Sequence, residues 1–174
     1  MSRIEYDLLN IKAFVFDVDG VLSPSTISIN SSGRPQRMVN IKDGYAIQLA
    51  RKLNYPIAII TGAKSDAIKA RYSTLGVEHI YTNTPFKLNV LKKWVKEMEL
   101  DPEQVLYMGD DIPDFECMNY VGLPCCPYDA AIDICNTAKY ISPILGGNGC
   151  ARDVIEQVLR AQGNWMHDER AFGW

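Results

Sequence analysis

Several absences narrow the reading first. No apolar run in the 174-residue chain approaches the roughly 20 residues that a membrane-spanning helix needs. The first ten residues, MSRIEYDLLN, mix acids into their apolar positions and lack the apolar stretch of an export signal, so secretion is not expected. Positive charge is not in excess: 18 Lys and Arg stand against 21 Asp and Glu, for a formal charge of −3. A protein built on phosphate contacts to nucleic acid carries the opposite balance, and no nucleic-acid partner is expected. The only histidines, His79 and His167, are far in sequence from the five cysteines, and no C-x-x-C pair occurs. Zinc is therefore not indicated. An odd cysteine count without an export signal reads as reduced thiols in a cytoplasmic protein. Adjacent Cys125 and Cys126 would face opposite sides of a strand as small apolar residues. Repeats, low-complexity stretches and linkers are also missing, so residues 1–174 read as one domain.

What is present is an alternation of short apolar runs with stretches of helical spacing. The runs are Ala13–Phe16, Ile57–Ile60, His79–Tyr81, Val105–Met108 and Val121–Cys126, with a weaker one at Tyr140–Ile141. Between them Ala46, Leu49, Ala50 and Leu53 share a helix face, as do Ile68, Tyr72 and Leu75. Leu88, Leu91, Val95 and Met98 form a third stripe with lysines on the other faces, and Val154, Ile155, Val158 and Leu159 mark the last helix. Strands apolar on both faces, alternating with helices, predict an α/β fold: a Rossmann-like parallel sheet with helices on both faces.

One segment breaks the rhythm. Thr26–Asn30 and Arg37–Ile41 alternate apolar and polar residues around Ser31-Ser32-Gly33-Arg34-Pro35, which predicts an inserted β-hairpin within about residues 24–41. It leaves the carboxyl end of the first strand, beside the edge where α/β sheets bind ligands, so a functional flap is expected.

The residues that follow each run carry the chemistry. Asp17-Val18-Asp19-Gly20 ends the first, Thr61-Gly62 the second, Lys87 follows the third, and Gly109-Asp110-Asp111 with Asp114 ends the fourth. In a parallel sheet these ends share one edge. Carboxylates, one hydroxyl and one lysine suit a hard divalent cation plus a phosphoryl group. Asp17 and Asp110 would ligate magnesium (Mg2+) directly, and Asp17 would also be the nucleophile. Lys87 would bridge nucleophile and phosphoryl oxygens, while the Thr61 hydroxyl and the N–H groups of Val18–Gly20 hold the rest. Asp19, its side chain off the metal, would serve as general acid and then as base towards water. Taken singly, each of these is a common turn, cap or surface lysine; in this order after successive strands they form a set.

The set Phe16-Asp17-Val18-Asp19-Gly20-Val21, Thr61-Gly62, Lys87 and Gly109-Asp110-Asp111-Ile112-Pro113-Asp114 resembles the four motifs of the haloacid dehalogenase superfamily of phosphatases. Only the hairpin fits between the first two motifs, as in the capless members, which form tetramers in which a neighbouring subunit helps close each site. Within that group the chain resembles the family of 3-deoxy-D-manno-octulosonate 8-phosphate (KDO 8-phosphate) phosphatases, through Asn40–Gly44, Arg71 before Leu75-Gly76, and Gly146–Asp153 with Ala161-Gln162-Gly163. The resemblance spans residues 10 to 163 and implies a phosphorylated sugar-acid substrate and a homotetramer. It counts Asp19 with Asp17 and Asp110 among the metal-site residues, with Asp111 and Asp114 behind them. It assigns substrate contacts to Asp19, Asn40, Ile41, Lys42, Asp43, Gly44, Gly62, Ala63, Arg71 and Lys87.

Some positions depart from that pattern. Ser23-Pro24-Ser25 stand where Thr-Asp-Gly is common, Ala63 where Arg is usual, and Lys42 where Arg precedes the Asp-Gly pair. Fewer forked guanidinium donors change how a carboxylate is held, which bears on the substrate rather than the reaction. A nine-carbon, sialic-type sugar-acid phosphate is the rival substrate. From another class, a phosphoacceptor receiver domain uses a similar residue set, but there the lysine comes last, whereas Lys87 precedes Gly-Asp-Asp. Arg152, at a helix start where dipole logic disfavours it, is expected to face a ligand or a neighbouring subunit. The tail, about residues 163–174, carries Trp165, Met166, Phe172 and Trp174 and is expected to dock on its own core or on a neighbouring subunit, with the family's assembly favouring the neighbour.

Overall fold

The computed structural model describes residues 3–174. Its elements follow the apolar runs closely. Strand β1 (Ala13–Phe16) leads through the short β2 (Ser28–Ile29) and β3 (Pro35–Gln36) into helix α1 (Ile41–Lys52). Then come β4 (Ile57–Ile60), α2 (Asp66–Ser73), β5 (His79–Tyr81), α3 (Lys87–Glu97) and β6 (Val105–Met108). The chain continues through α4 (Phe115–Tyr120), β7 (Leu123–Cys126), α5 (Ile132–Thr137), β8 (Tyr140–Ile141) and α6 (Cys150–Ala161). Six strands form a parallel sheet in the order β5-β4-β1-β6-β7-β8, with Phe14 opposite Ile57 on one side and Leu106 on the other.

Alternation along β1 divides the core in two. Phe14 and Phe16 face the layer of α1, α2 and α6, where they meet Ile47, Leu49, Ile155 and Leu159. Ala13 and Val15 face the layer of α3, α4 and α5, with Leu91, Trp94 and Met118. Both faces of the strands are covered, which is why they read as unbroken apolar runs. Cys125 and Cys126 do face opposite layers, and all five cysteines are free thiols. No helix among the described residues is long and apolar enough to cross a membrane.

The hairpin is smaller than the alternation predicts. Only Ser28↔Gln36 and Ile29↔Pro35 pair, and the second strand starts at Pro35 rather than Arg37. The pattern misleads because the ribbon lies on no sheet: Ile29, Met38 and Val39 are exposed. Ile41 belongs to α1, since the Asn40 carboxamide accepts from the N–H of Lys42 (2.8 Å) and Asp43 (3.2 Å) and starts the helix there. The fifth run also starts later, at Leu123, after a bend at Val121-Gly122.

Part of the tail docks on its own chain, the first of the two surfaces expected for it. Trp165 is buried edge-on to Tyr45 (5.9 Å between centroids), beneath the guanidinium groups of Arg152 and Arg160. The Tyr45 hydroxyl donates to the Ala171 carbonyl and Lys52 Nζ to that of Gly173 (2.7 Å). Arg152, half-buried, stacks over the Tyr45 and Trp165 rings of its own chain and pairs with Glu156. Met166, Phe172 and Trp174 remain exposed.

Candidate active site

Strands β1 and β6 are neighbours, yet the chain leaves β1 towards β4 and β6 towards β7, on opposite sides. Their carboxyl ends therefore bound the crevice at the point where strand order reverses. Asp17 follows β1, Asp110 follows β6, Thr61 follows β4, and Lys87 opens α3 after β5. All four line one cavity of about 470 Å³, together with Asp19 and Asp114. Gly62, Ala63 and Asp111 are in its wall as well.

Asp114 organises this edge. It is fully buried and accepts from Lys87 Nζ (2.8 Å), from the Tyr107 hydroxyl (2.6 Å) and from the N–H of Asp110 (3.1 Å). Lys87, only 5% exposed, also pairs with Asp17 Oδ2 at 2.9 Å. Two buried carboxylates thus share one ammonium. Removing that lysine would leave both uncompensated, a change that costs about 3–5 kcal/mol for a buried pair. Burial pushes the Lys87 ammonium down, but Asp17 and Asp114 more than offset this and raise it above the usual lysine range. Burial raises the Asp17 carboxyl and Asp114 adds to the rise, with Lys87 opposing. Asp110 is pushed up to about 8, by burial first and then by its carboxylate neighbours Asp17, Asp114 and Asp111.

That electrostatic excess has the form of a cation site. Asp17, Asp110 and Asp114 each offer an oxygen, all within 4.8 Å of one another. Both Asp114 oxygens are already engaged, whereas Asp17 Oδ1 is buried without a hydrogen-bond partner. The oxygens left over are those of Asp17 and Asp110, an all-carboxylate set that fits a hard divalent ion. The backbone makes room for it. Gly20 has φ +85°, and a Cβ there would fall 1.9 Å from Asp110 Oδ2. Gly146 in turn lies against Gly20, where a Cβ would meet the Gly20 carbonyl at 1.9 Å, and the Gly147 N–H donates to Val21 O (2.8 Å). The glycine-rich run before α6 is therefore a buttress for the loop after β1, a role the sequence does not reveal.

Asp19 points away from the three clustered carboxylates, towards the flap. Arg37 grips it with two parallel bonds, Nε to Oδ1 (2.6 Å) and Nη2 to Oδ2 (2.8 Å), and the Ser23 hydroxyl donates to Oδ1 at 3.2 Å. Sequence reasoning missed Arg37 and Tyr107, since each acts through a residue distant in the chain. The Thr61 hydroxyl accepts from the Ala63 N–H (3.1 Å) and Asp111 caps the turn at Ile112 (2.8 Å).

The other expected substrate residues do not line the catalytic cavity. Asn40 caps α1 and donates to the Gly147 carbonyl (3.3 Å), while Ile41 and Lys42 are exposed. The Asp43 carboxylate turns inward, accepts from the Arg152 N–H at 2.6 Å, and is raised to about 6 by burial, with Arg152 opposing. Gly44 allows Arg71 to approach, since a Cβ would come 2.5 Å from Arg71 Nη2. Arg71 lines a separate cavity of about 250 Å³ beneath the flap, and its Nε is buried without a partner.

No family model matches the chain. The 3-deoxy-D-manno-octulosonate 8-phosphate phosphatase of Salmonella typhi is 38% identical over 154 residues, 88% of this chain and 82% of that protein. The crystal structure of the Yersinia pestis enzyme of the same name superposes with a TM-score of 0.87 at 34% identity, covering 90% of this chain and 85% of the other. The Moraxella catarrhalis phosphatase, solved in complex with magnesium, phosphate and KDO, gives 0.86 at 32% identity, covering 90% of each chain.

Proposed function

The chain belongs to the KDO 8-phosphate phosphatase family of the haloacid dehalogenase superfamily, a phosphoric monoester hydrolase, and on that premise we propose that it hydrolyses KDO 8-phosphate to KDO and inorganic phosphate. The observation that carries the reading is Asp17, paired with buried Lys87 on one oxygen and unpartnered on the other beside Asp110. The Moraxella complex supports both the metal and the product.

Magnesium held by Asp17 and Asp110 would neutralise charge, so that a carboxylate can approach an anionic phosphate. Lys87 opposes the rise that burial and Asp114 impose on the Asp17 carboxyl, and its ion pair fixes the orientation of that carboxylate. Asp17 attacks phosphorus and forms an aspartyl phosphate, while the bond from phosphorus to the C8 oxygen breaks. Asp19 delivers a proton to that oxygen, then removes one from the water that cleaves the aspartyl phosphate. The Arg37 fork occupies both Asp19 oxygens, so Asp19 reaches the leaving oxygen once the flap withdraws Arg37. Thr61 and the N–H groups of Val18–Gly20 hold the phosphoryl oxygens.

The reading extends to a single domain without a cap, located in the cytoplasm, and to a homotetramer in which a neighbour closes the site. Exposed Ile29, Met38, Val39 and Ile41 on and beside the flap support such a contact. A substrate panel tests the proposal. KDO 8-phosphate should be hydrolysed with kcat/KM at least about tenfold above that for a nine-carbon sialic-type phosphate, and chelation should abolish turnover. Equal or better use of the nine-carbon ester would contradict the substrate assignment.

A further inference from the structure

A second cavity, of about 510 Å³, lies between the flap and the start of α2. Arg34, Arg37, Lys64 and Asp66 contribute its charged groups, three cations against one acid. It adjoins the catalytic cavity at two points. Ala63 lines the one and Lys64 the other, and Arg37, in the wall of the second, grips Asp19 in the first. Arg37 is committed to that pair, whereas Arg34 and Lys64 make no ion pair among the described residues. The loop that carries Arg34 is held in shape by Asn30, whose carboxamide accepts from the N–H of Ser32 (3.0 Å) and Arg34 (2.9 Å).

Cations gathered around one concavity focus a positive potential there, and an anion relieves their repulsion. The phosphate has its own place at Asp17, Lys87 and Thr61, so the second cavity needs a different anionic group. KDO 8-phosphate has one at its opposite end, the C1 carboxylate. Ala63 brings no charge to the wall of the catalytic cavity, and the adjacent Lys64 and the flap's Arg34 supply it in the second. Arg34 offers a fork that matches a carboxylate, and Lys64 a point charge. Resting on the substrate reading above, we infer that Arg34 and Lys64 hold the carboxylate of the sugar acid in this second cavity and make the enzyme select acidic over neutral sugar phosphates.

The test is the ratio of kcat/KM for KDO 8-phosphate to that for mannose 6-phosphate, which lacks a carboxylate, in wild type, Arg34→Gln, Lys64→Gln and the double variant. Each single substitution should lower the ratio about tenfold and the pair about a hundredfold, through KM rather than kcat. Lys64→Arg should retain it. A wild-type preference that survives the double substitution within about twofold overturns this inference and leaves the substrate reading standing. A wild type that does not prefer the acidic ester overturns both.

Discussion

Asp43 illustrates how a buried carboxylate can belong to the scaffold rather than to the chemistry. One oxygen accepts the Arg152 N–H at the start of α6, and the other is buried without a partner. Because burial raises this carboxyl from its ordinary 3.8 to about 6, the folded chain keeps a proton that the unfolded chain has released. Ionisation therefore costs stability as pH climbs from about 4 to about 6, and above that the full cost is about 3 kcal/mol. Asp43→Asn should flatten the pH dependence of urea-unfolding free energy across that window; an unchanged slope would contradict the assignment. Legibility at this scale followed a simple division. Asp17, Lys87 and Asp110 are readable in the sequence because each follows an apolar strand, and the parallel sheet places their ends along one edge. Arg37 is not readable, because its partner Asp19 is set by how the flap folds back, and no periodicity encodes that.

At the scale of elements, strand-forming runs were recovered nearly to the residue, since full burial on both faces leaves a continuous apolar signature. Helices α4 and α5, with 6 residues each, escaped detection. Fewer than two turns give no stripe to read. The flap was overextended because alternation signals a strand only where one face is covered. The C-terminal segment shows a related limit: its aromatic residues announce docking without saying on what. The surface turns out to be α1 and α6, which pack side by side, and Trp165 seals their junction under Arg152 and Arg160. Trp165→Ala should therefore lower stability by about 3–5 kcal/mol. Chemical denaturation measures this, and a loss under about 1 kcal/mol would show that the tail merely rests on the surface.

For the whole molecule, the strand order matters more than any motif. It brings β1 and β6 together while sending their connections apart, and so gathers Asp17 and Asp110 at one crevice although they stand 93 positions apart in the chain. The formal charge of −3 is unfavourable to an anionic substrate only as an average. Locally, the carboxylates cluster where a divalent cation fits, and the flap side of the mouth is positive. In the proposed homotetramer, a neighbour would close the catalytic cavity beside the flap. The central claim is that this crevice performs covalent phosphoryl transfer through Asp17. Acid quenching of enzyme mixed with magnesium and KDO 8-phosphate, followed by peptide mass analysis, tests it most directly. One phosphoryl group should appear on the peptide carrying Asp17 and be lost in Asp17→Asn along with turnover. A phosphoryl group on another residue, or magnesium-dependent turnover in pure Asp17→Asn, would contradict the account.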